Sequence, residues 1–341
     1  MPCETEVITT ETPEKFQLAL NRATEILSNG GIVALPTETV YGLAANALDT
    51  SAVARIYEAK GRPAHNPVIV HVCDGQMAVK CAGNWPETAH RLTDRFWPGP
   101  LTLVTPRAPG IPDIVTAGGD TVGLRRPSHP FFEAVIRQCG FPIAAPSANA
   151  SNRISPTTAA HVLNQLEGRV PLIVDGGPSD VGIESTVVDI TGDRPVVLRP
   201  GMISPEDIEA AAATELQTDT IVAEPNRGPL RSPGQLSRHY SPTARAISLK
   251  WSDAKDLENR VRELNIDPRR AALISFAGES ERHSGWLRAA MLSGDPKQAA
   301  RDFYSALHAA DASGAEWIVI ESPPNQPAWR AIADRIQRAT A

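Results

Sequence analysis

No run in the 341-residue sequence approaches the about 18 apolar positions that a membrane-crossing helix needs, so no membrane span is expected. Cysteine is scarce and scattered, at Cys3, Cys73, Cys81 and Cys139, with no C-x-x-C pair. That excludes a disulfide framework and predicts reduced thiols in a cytosolic protein. The eight histidines show no H-E-x-x-H or comparable spacing, so no structural metal is expected. There is no G-x-x-x-x-G-K-[ST], no G-x-G-x-x-G and no G-x-S-x-G. A nucleotide bound here would be bound in an uncommon way, and no serine sits in a nucleophile elbow. Positive charge is not in excess: 33 Lys and Arg stand against 39 Asp and Glu, a formal charge of −6. A protein that grips nucleic acid with its whole surface would be basic, so any polyanion must meet a local basic site. The opening "MPCETEVITTETPEK" lacks a basic start and an apolar core, and predicts no signal peptide.

What is present is enough apolar material, 42%, for a real core, at a length that suits two domains. Short β-rich runs alternate with helical stretches through the first part. Residues 31–35, 66–72, 101–105, 141–146, 171–175, 185–190 and 195–199 read as strands. "PEKFQLALNRATEILSNGG" reads as a helix with a glycine pair as its stop. "TSAVARIYEAKG" reads as a second, with Thr50 or Ser51 as N-cap and Gly61 just past the end. "SPTTAAHVLNQLEG" reads as a third, with Ser155 as cap and Pro156 in the first turn. "SPEDIEAAAATELQ" is a short helix. The following Pro-, Gly-, Ser- and Arg-rich stretch has no periodicity and reads as a linker. Beyond it, strands at 244–250, 271–278 and 316–322 alternate with helices, which implies a small parallel sheet with helical cover. The expected division is an α/β domain over 1–210, a linker over 211–243 and a small α/β domain over 244–341.

Four segments carry chemistry. In "EAKGRPAHNPVIVHV", Lys60 ends a helix, Gly61 permits a positive φ, and Arg62 precedes a rigid proline. These residues suit either a cationic helix cap or a phosphate clamp, with lysine as a mobile point charge and arginine as a bidentate fork. His71, inside the next strand, suits a core position or a ligand contact. In "GGDTVGLRRPSHP", Arg125 and Arg126 alternate along a strand, so only one can face a cleft. In "PIAAPSANASNRISPTTAAHV", small residues permit close approach of a ligand, and Ser155 heads a helix whose free N–H groups attract anions. In "DGGPSDVGIESTVVDITGDRPVVLRPG", Ser185 stands where a Gly-rich loop becomes a strand, and Arg199 ends another. Small, polar and basic residues thus recur at the ends of β runs in an acidic protein. That favours a cleft for an anionic small molecule.

These segments, with "GGIVALPTETVYGLAANA" and "FWPGPLTLV" in the same order, resemble the YrdC-like family. The later "SPGQLSRHYSP" followed by a small α/β domain is similar to the two-domain threonylcarbamoyl-AMP synthases. The resemblance implies a YrdC-like twisted mixed sheet around a large, positively charged concave cavity, plus a smaller Rossmann-like parallel α/β C-terminal domain. It implies the conversion of L-threonine, bicarbonate and ATP to L-threonylcarbamoyl-AMP and pyrophosphate, with Mg²⁺ accompanying ATP. The product would feed the threonylcarbamoyladenosine modification of ANN-decoding tRNAs through downstream transferase proteins, without direct tRNA binding, in the cytoplasm. The rival reading is a YrdC-like module that holds double-stranded RNA or assists ribosome maturation without catalysis.

Residue roles follow from the resemblance position by position. Thr37, His71, Arg125, Ala145 and Ser185 match threonine contacts, Arg125 suiting the carboxylate. Lys60 and Arg62 match the phosphate-handling, catalytic pair. Ala64, Thr121, Ser147, Ser155 and Arg199 match further ATP contacts, and Tyr240 a linker residue that folds back over the nucleotide. Two departures stand out. His65 occupies a place where the family often has Asp, and "PPNQPAWRAIADRI" lacks a glycine-rich turn common there.

Overall fold

The computed structural model describes residues 4–217, 239–276 and 285–341, which form two compact units. The first unit takes in Met1–Ser151, Pro156–Asp180 and Glu184–Gln235. The second takes in Leu236–Ala341 together with two short excursions, Asn152–Ser155 and Val181–Ile183. Most of the linker motif "SPGQLSRHYSP" and the end of the expected 271–278 strand lie outside the described residues.

The first unit is built on ten strands: β1 (Glu6–Thr9), β2 (Val33–Leu35), β3 (Gly42–Asn46), β4 (Val70–His71), β5 (Leu101–Pro106), β6 (Thr121–Arg125), β7 (Ile143–Ala144), β8 (Leu172–Asp175), β9 (Thr186–Asp189) and β10 (Val196–Arg199). They form one mixed sheet in the order β1-β8-β2-β3-β7-β4-β6-β5-β9-β10. Alternation along the strands sorts side chains onto two covered faces. Val33 and Leu35 pack with α1 (Pro13–Ser28) and α6 (Pro130–Cys139), whereas Ala34 packs with α2 (Thr50–Lys60) and α7 (Ala159–Leu166). A third cluster joins α4 (Glu87–Phe96) and α8 (Pro205–Ala212) to β5 and β9.

Two expected helix starts are corrected. α2 is capped by Asp49, not Thr50 or Ser51, because its Oδ1 accepts from both Ser51 N and Ala52 N, at 2.8 and 3.2 Å. Gly61 closes the helix in the left-handed region, φ 61°, as its type requires. α7 begins at Ala159 under a Thr158 cap rather than at Pro156 under Ser155. The Pro156 carbonyl accepts from Tyr41 N, and the Thr157 carbonyl from Ser179 N. Those long-range bonds hold 155–157 out of the helix, so Ser155 caps no helix and offers no helix terminus to an anion. Two strands escaped the sequence patterns. β1 is short and half-exposed, and β3, "GLAAN", is poor in β-branched residues.

In the second unit β11 (Arg245–Leu249), β12 (Ala271–Phe276), β13 (Arg288–Leu292) and β14 (Trp317–Glu321) form a four-stranded, all-parallel sheet, order β11-β14-β12-β13. α9 (Ala254–Glu263), α10 (Pro296–Asp311) and α11 (Arg330–Ala339) accompany it. β13, exposed at Arg288, Ala289 and Met291, is a strand that the sequence reading did not mark. α10 also holds the two excursions. His308 Nε2 lies 3.1 Å from the Ser155 carbonyl, and Gly182, φ 76°, packs so closely on Arg301 that a Cβ would meet its backbone at 2.4 Å. Among the described residues no helix is long and apolar enough to cross a membrane.

Candidate active site

The polar burst after β2 folds into a tight, buried loop. The Thr37 hydroxyl donates to the Val40 carbonyl at 2.6 Å and accepts from the amides of Thr39 and Val40 at 3.1 and 3.2 Å. Its hydroxyl therefore shapes the loop that presents Glu38 and Thr39. The Ser179 hydroxyl donates to the Thr37 carbonyl and ties this loop to the one after β8.

Arg125 meets the same loop from the end of β6. Its Nη1 donates to Thr39 Oγ1 at 2.9 Å, and its Nη2 lies 2.7 Å from Glu38 Oε1. The Arg125–Glu38 contact is an ion pair rather than an aligned hydrogen bond, since neither Arg125 Nη2 nor either Glu38 oxygen has a hydrogen-bond partner among the described residues. The neighbouring Arg126 pairs with Glu133 of α6 at 3.0 Å. Strand alternation thus assigns Arg125, 4% exposed, to the interior.

The strand registers carry this group sideways. His71 pairs with Arg125 across β4 and β6. β5 runs antiparallel to β6 with Leu103 opposite Leu124, which puts Thr102 opposite Arg125. Thr102 Oγ1 lies 2.7 Å from Ser185 Oγ, and Arg199 on β10 donates to that hydroxyl and to the Ser185 carbonyl, each at 3.1 Å. Gly201 allows this approach, for a Cβ there would meet Thr186 N at 2.4 Å. His71, Arg125, Thr102, Val187 and Arg199 therefore line up across neighbouring strands, with Ser185, just before β9, joined to Thr102 and Arg199 by its hydroxyl; His71, Arg125, Ser185 and Arg199 are all buried. Burial, then the positive charge of Arg125, pushes the His71 pKa down to about 3, so the ring is neutral at physiological pH. Its Nδ1 has no hydrogen-bond partner among the described residues.

Lys60 departs from expectation. It ends α2 as expected, but it is not a mobile charge. Its Nζ is buried and donates to the carbonyls of Ser147, at 2.6 Å, and Asn149. Burial, then the charge of Arg62, holds its pKa well below the usual lysine range. Arg62 closes its own turn, donating to Asn66 Oδ1 at 2.7 Å and to the Pro67 carbonyl at 2.6 Å. Ala64 and His65 are exposed on that turn, and Thr121 opens β6 half-buried. Ala145 is buried beyond β7, and Ser147 bridges to Gly42. Ser155 and Tyr240 belong to the second unit. The Tyr240 backbone is left-handed, φ 62°, and its ring lies under the Arg335 guanidinium at 5.3 Å. Thr102 and Asn149 were not singled out by sequence reasoning, and Glu38 and Thr39 were given no role of their own. Glu38 and Thr39 were visible as the polar residues beside Thr37. Thr102 and Asn149 carry no signal short of the strand register and the lysine cage.

A mixed sheet with basic and hydroxyl groups buried along its strand ends, accompanied by a parallel α/β unit, defines a two-domain α/β protein of YrdC-like type. The family described as "Telomere recombination", Sua5/YciO/YrdC, matches residues 25–201, and "Threonylcarbamoyl-AMP synthase, C-terminal domain" matches 203–341. A threonylcarbamoyl-AMP synthase of Bacillus subtilis is 40% identical over 98% of this chain and 95% of its own. One of Pyrococcus abyssi is 38% identical over 93% of each. The structure of Pyrococcus abyssi Sua5 complexed with L-threonine is similar with a TM-score of 0.87, at 35% identity, covering 98% of this chain and 97% of that one. The chain belongs to the Sua5/YrdC family, in the two-domain form of the threonylcarbamoyl-AMP synthases, and is an enzyme of the nucleotidyltransferase class.

Proposed function

We propose that the chain converts L-threonine, bicarbonate and ATP to L-threonylcarbamoyl-AMP and pyrophosphate, in the cytoplasm, for the threonylcarbamoyladenosine of ANN-decoding tRNAs. Downstream transferase proteins complete that modification, and this chain does not need to hold tRNA itself. The observation that carries the reading is Arg125, a buried guanidinium with Nη2 hydrogens not aligned on any partner among the described residues, at a position that matches a carboxylate contact. Thr37, His71, Arg125, Ala145 and Ser185 serve threonine. Lys60, Arg62, Ala64, Thr121, Ser147 and Arg199 serve ATP, and the resemblance adds Ser155 and Tyr240.

The chemistry needs electrostatics more than a base. Threonine and bicarbonate give a carbamate, whose oxygen is already a nucleophile. That oxygen bonds to the α-phosphorus while the bond to pyrophosphate breaks. Both reactants are anions, so fixed cationic groups lower their repulsion and stabilise charge passing to pyrophosphate. Lys60 contributes from its seat among the 147–149 carbonyls, as a positioned hydrogen-bond donor. Magnesium comes on the triphosphate as part of the substrate. Among the described residues no group of three His, Cys, Asp or Glu side chains could hold the ion.

The test is pyrophosphate release from ATP, with the product read by mass. Release that requires both threonine and bicarbonate is expected. ATP turnover indifferent to threonine overturns the reading. An RNA-holding module is the poorer fit, because Lys60, Arg125 and Arg199 are 3–4% exposed and do not offer themselves to a phosphate backbone.

A further inference from the structure

We propose that Glu38 receives the α-amino group of the amino-acid substrate and makes the site selective for α-amino acids over their hydroxy counterparts. This rests on the function proposed above. Three observations carry it.

First, the Glu38 side chain is 6% exposed, yet neither of its oxygens has a hydrogen-bond partner among the described residues. An ionised carboxylate has about four acceptor sites, and leaving them unmet in the interior costs free energy. Glu38 does not act as a helix cap, and no backbone amide among the described residues donates to it. A purely structural counter-charge would be expected to sit squarely on its arginine.

Second, its one strong partner is the guanidinium matched to the substrate carboxylate. Glu38 Oε1 and Arg125 Nη2 are 2.7 Å apart without an aligned N–H. Arg125 is meanwhile held in place from other sides, by Thr39 Oγ1 at 2.9 Å and the Gly99 carbonyl at 3.4 Å. The two side chains neutralise each other within the protein, which avoids a bare buried charge. At the same time each keeps hydrogen-bonding capacity of its own sign. One charge of each sign, side by side and incompletely used, is the complement of an amino-acid zwitterion.

Third, among the described residues the surroundings add no competing cation aimed at Glu38. His71, next to Arg125 in the ladder, is neutral, and its Nδ1 also has no partner among the described residues. His129, at the start of α6, lies within electrostatic reach of Glu38 but donates no hydrogen bond to it. An ammonium bound at Glu38 is therefore its principal donor.

The carboxylate suits the nitrogen before and after carbamoylation. In that step R–NH₃⁺ and HCO₃⁻ give R–NH–COO⁻, H₂O and H⁺: the N–C bond forms, the lost hydroxyl leaves as water, and the remaining proton goes to solvent. The nitrogen keeps one N–H throughout, which Glu38 accepts. The substrate need not shift on this carboxylate between the two chemical stages.

The experiment is titration calorimetry on the full chain with L-threonine and with (2S,3R)-2,3-dihydroxybutanoate, in which a hydroxyl replaces the amine. Wild type is expected to bind threonine about 100-fold more tightly than the hydroxy acid, the scale of one buried hydrogen bond to a charged group. Glu38→Gln should lower that preference to about 10-fold or less, and Glu38→Asp should restore part of it. Unchanged threonine affinity and unchanged preference in Glu38→Gln overturn the proposal. If the variant does not fold, the wild-type complex with L-threonine decides. An amine within about 3.2 Å of a Glu38 oxygen supports the proposal, and an amine turned elsewhere overturns it. Wild type that binds neither ligand defeats the proposed function itself, which separates that failure from a failure of the Glu38 assignment alone.

Discussion

The two units treat charge in opposite ways. In the first, Glu38, Lys60, His71, Arg125, Glu184 and Arg199 are all buried. In the second, the buried acidic and basic side chains among the described residues are His239 and Arg335, both beside Tyr240, while pairs such as Arg269–Asp267 and Arg270–Glu316 lie at the surface. Both units have apolar cores and sheets covered by helices, so stability alone does not call for the difference. Buried charges are costly unless paired, and clusters of them mark places where a fold is arranged for chemistry. The comparison assigns the chemistry to the sheet ends of the first unit, and gives Arg335 a local task.

The strongest challenge to that comparison is Arg125→Ala. If the first unit's buried charges exist for substrate, the threonine requirement should rise about 100-fold with far less change for ATP, alongside a stability loss of about 3–5 kcal/mol from stranding Glu38. Steady-state kinetics with each substrate varied, and urea unfolding, read both effects. Equal rises for the two substrates would reduce Arg125 to a structural pair.

Next comes Arg335→Ala. The side chain is fully buried, paired with Asp334 at 2.5 Å and set over the Tyr240 ring. Its loss should cost about 3 kcal/mol and raise hydrogen exchange at 239–241. An unaltered exchange pattern would mean that Arg335 does not hold Tyr240.

A smaller effect is expected from His71→Gln, and it shows as a change of slope. The folded pKa, about 3, lies below the unfolded value near 6.5. Above pH 6.5 both states are neutral and the group adds no pH dependence. As pH falls toward 3, the unfolded chain takes a proton that the native state refuses, so stability declines. Between pH 6.5 and 5 the wild type should lose about 2 kcal/mol through this group, and the variant should not. Parallel curves in urea unfolding at the two pH values would refute this. Smallest of all is Asp267→Asn in the second unit. The pair is exposed, so the melting midpoint should not move measurably. A clear shift would blur the contrast between the units.

Much of the fold was legible because burial leaves periodic traces. The helix over Pro13–Ser28 was visible in its apolar spacing and its glycine stop. The parallel second sheet was visible in its β-branched runs. β3 was not: "GLAAN" becomes a strand because β2 and β7 flank it, and its small residues suit that crowded position, with Gly42 facing Ala145. Helix starts were misplaced where a competing cap or a long-range bond won, as at Asp49 and at Pro156–Thr157. At the site, the sequence marked Arg125 and Arg126 as alternatives, and Glu133 took the second. Lys60 was read as a mobile charge because nothing near it in sequence announces the carbonyls of residues 147 and 149.

From its residues alone, this chain's family, its two-part organisation and the kinds of side chain serving an anionic substrate were already decided. Those features follow from composition, spacing and motif order, which are properties of neighbours in sequence. Which charges would be buried, and what they would face, was settled only by folding. The sheet register brings residues 71, 125, 102, 187 and 199 onto one line, and Ser185, just before β9, joins it through its hydroxyl contacts with Thr102 and Arg199, although these residues are far apart along the chain. The β2–β3 loop sets Thr39 and Glu38 against Arg125 through contacts that span 86 and 87 residues. Proximity across strands, and the desolvation that comes with it, belong to the three-dimensional packing and leave no local mark in the sequence.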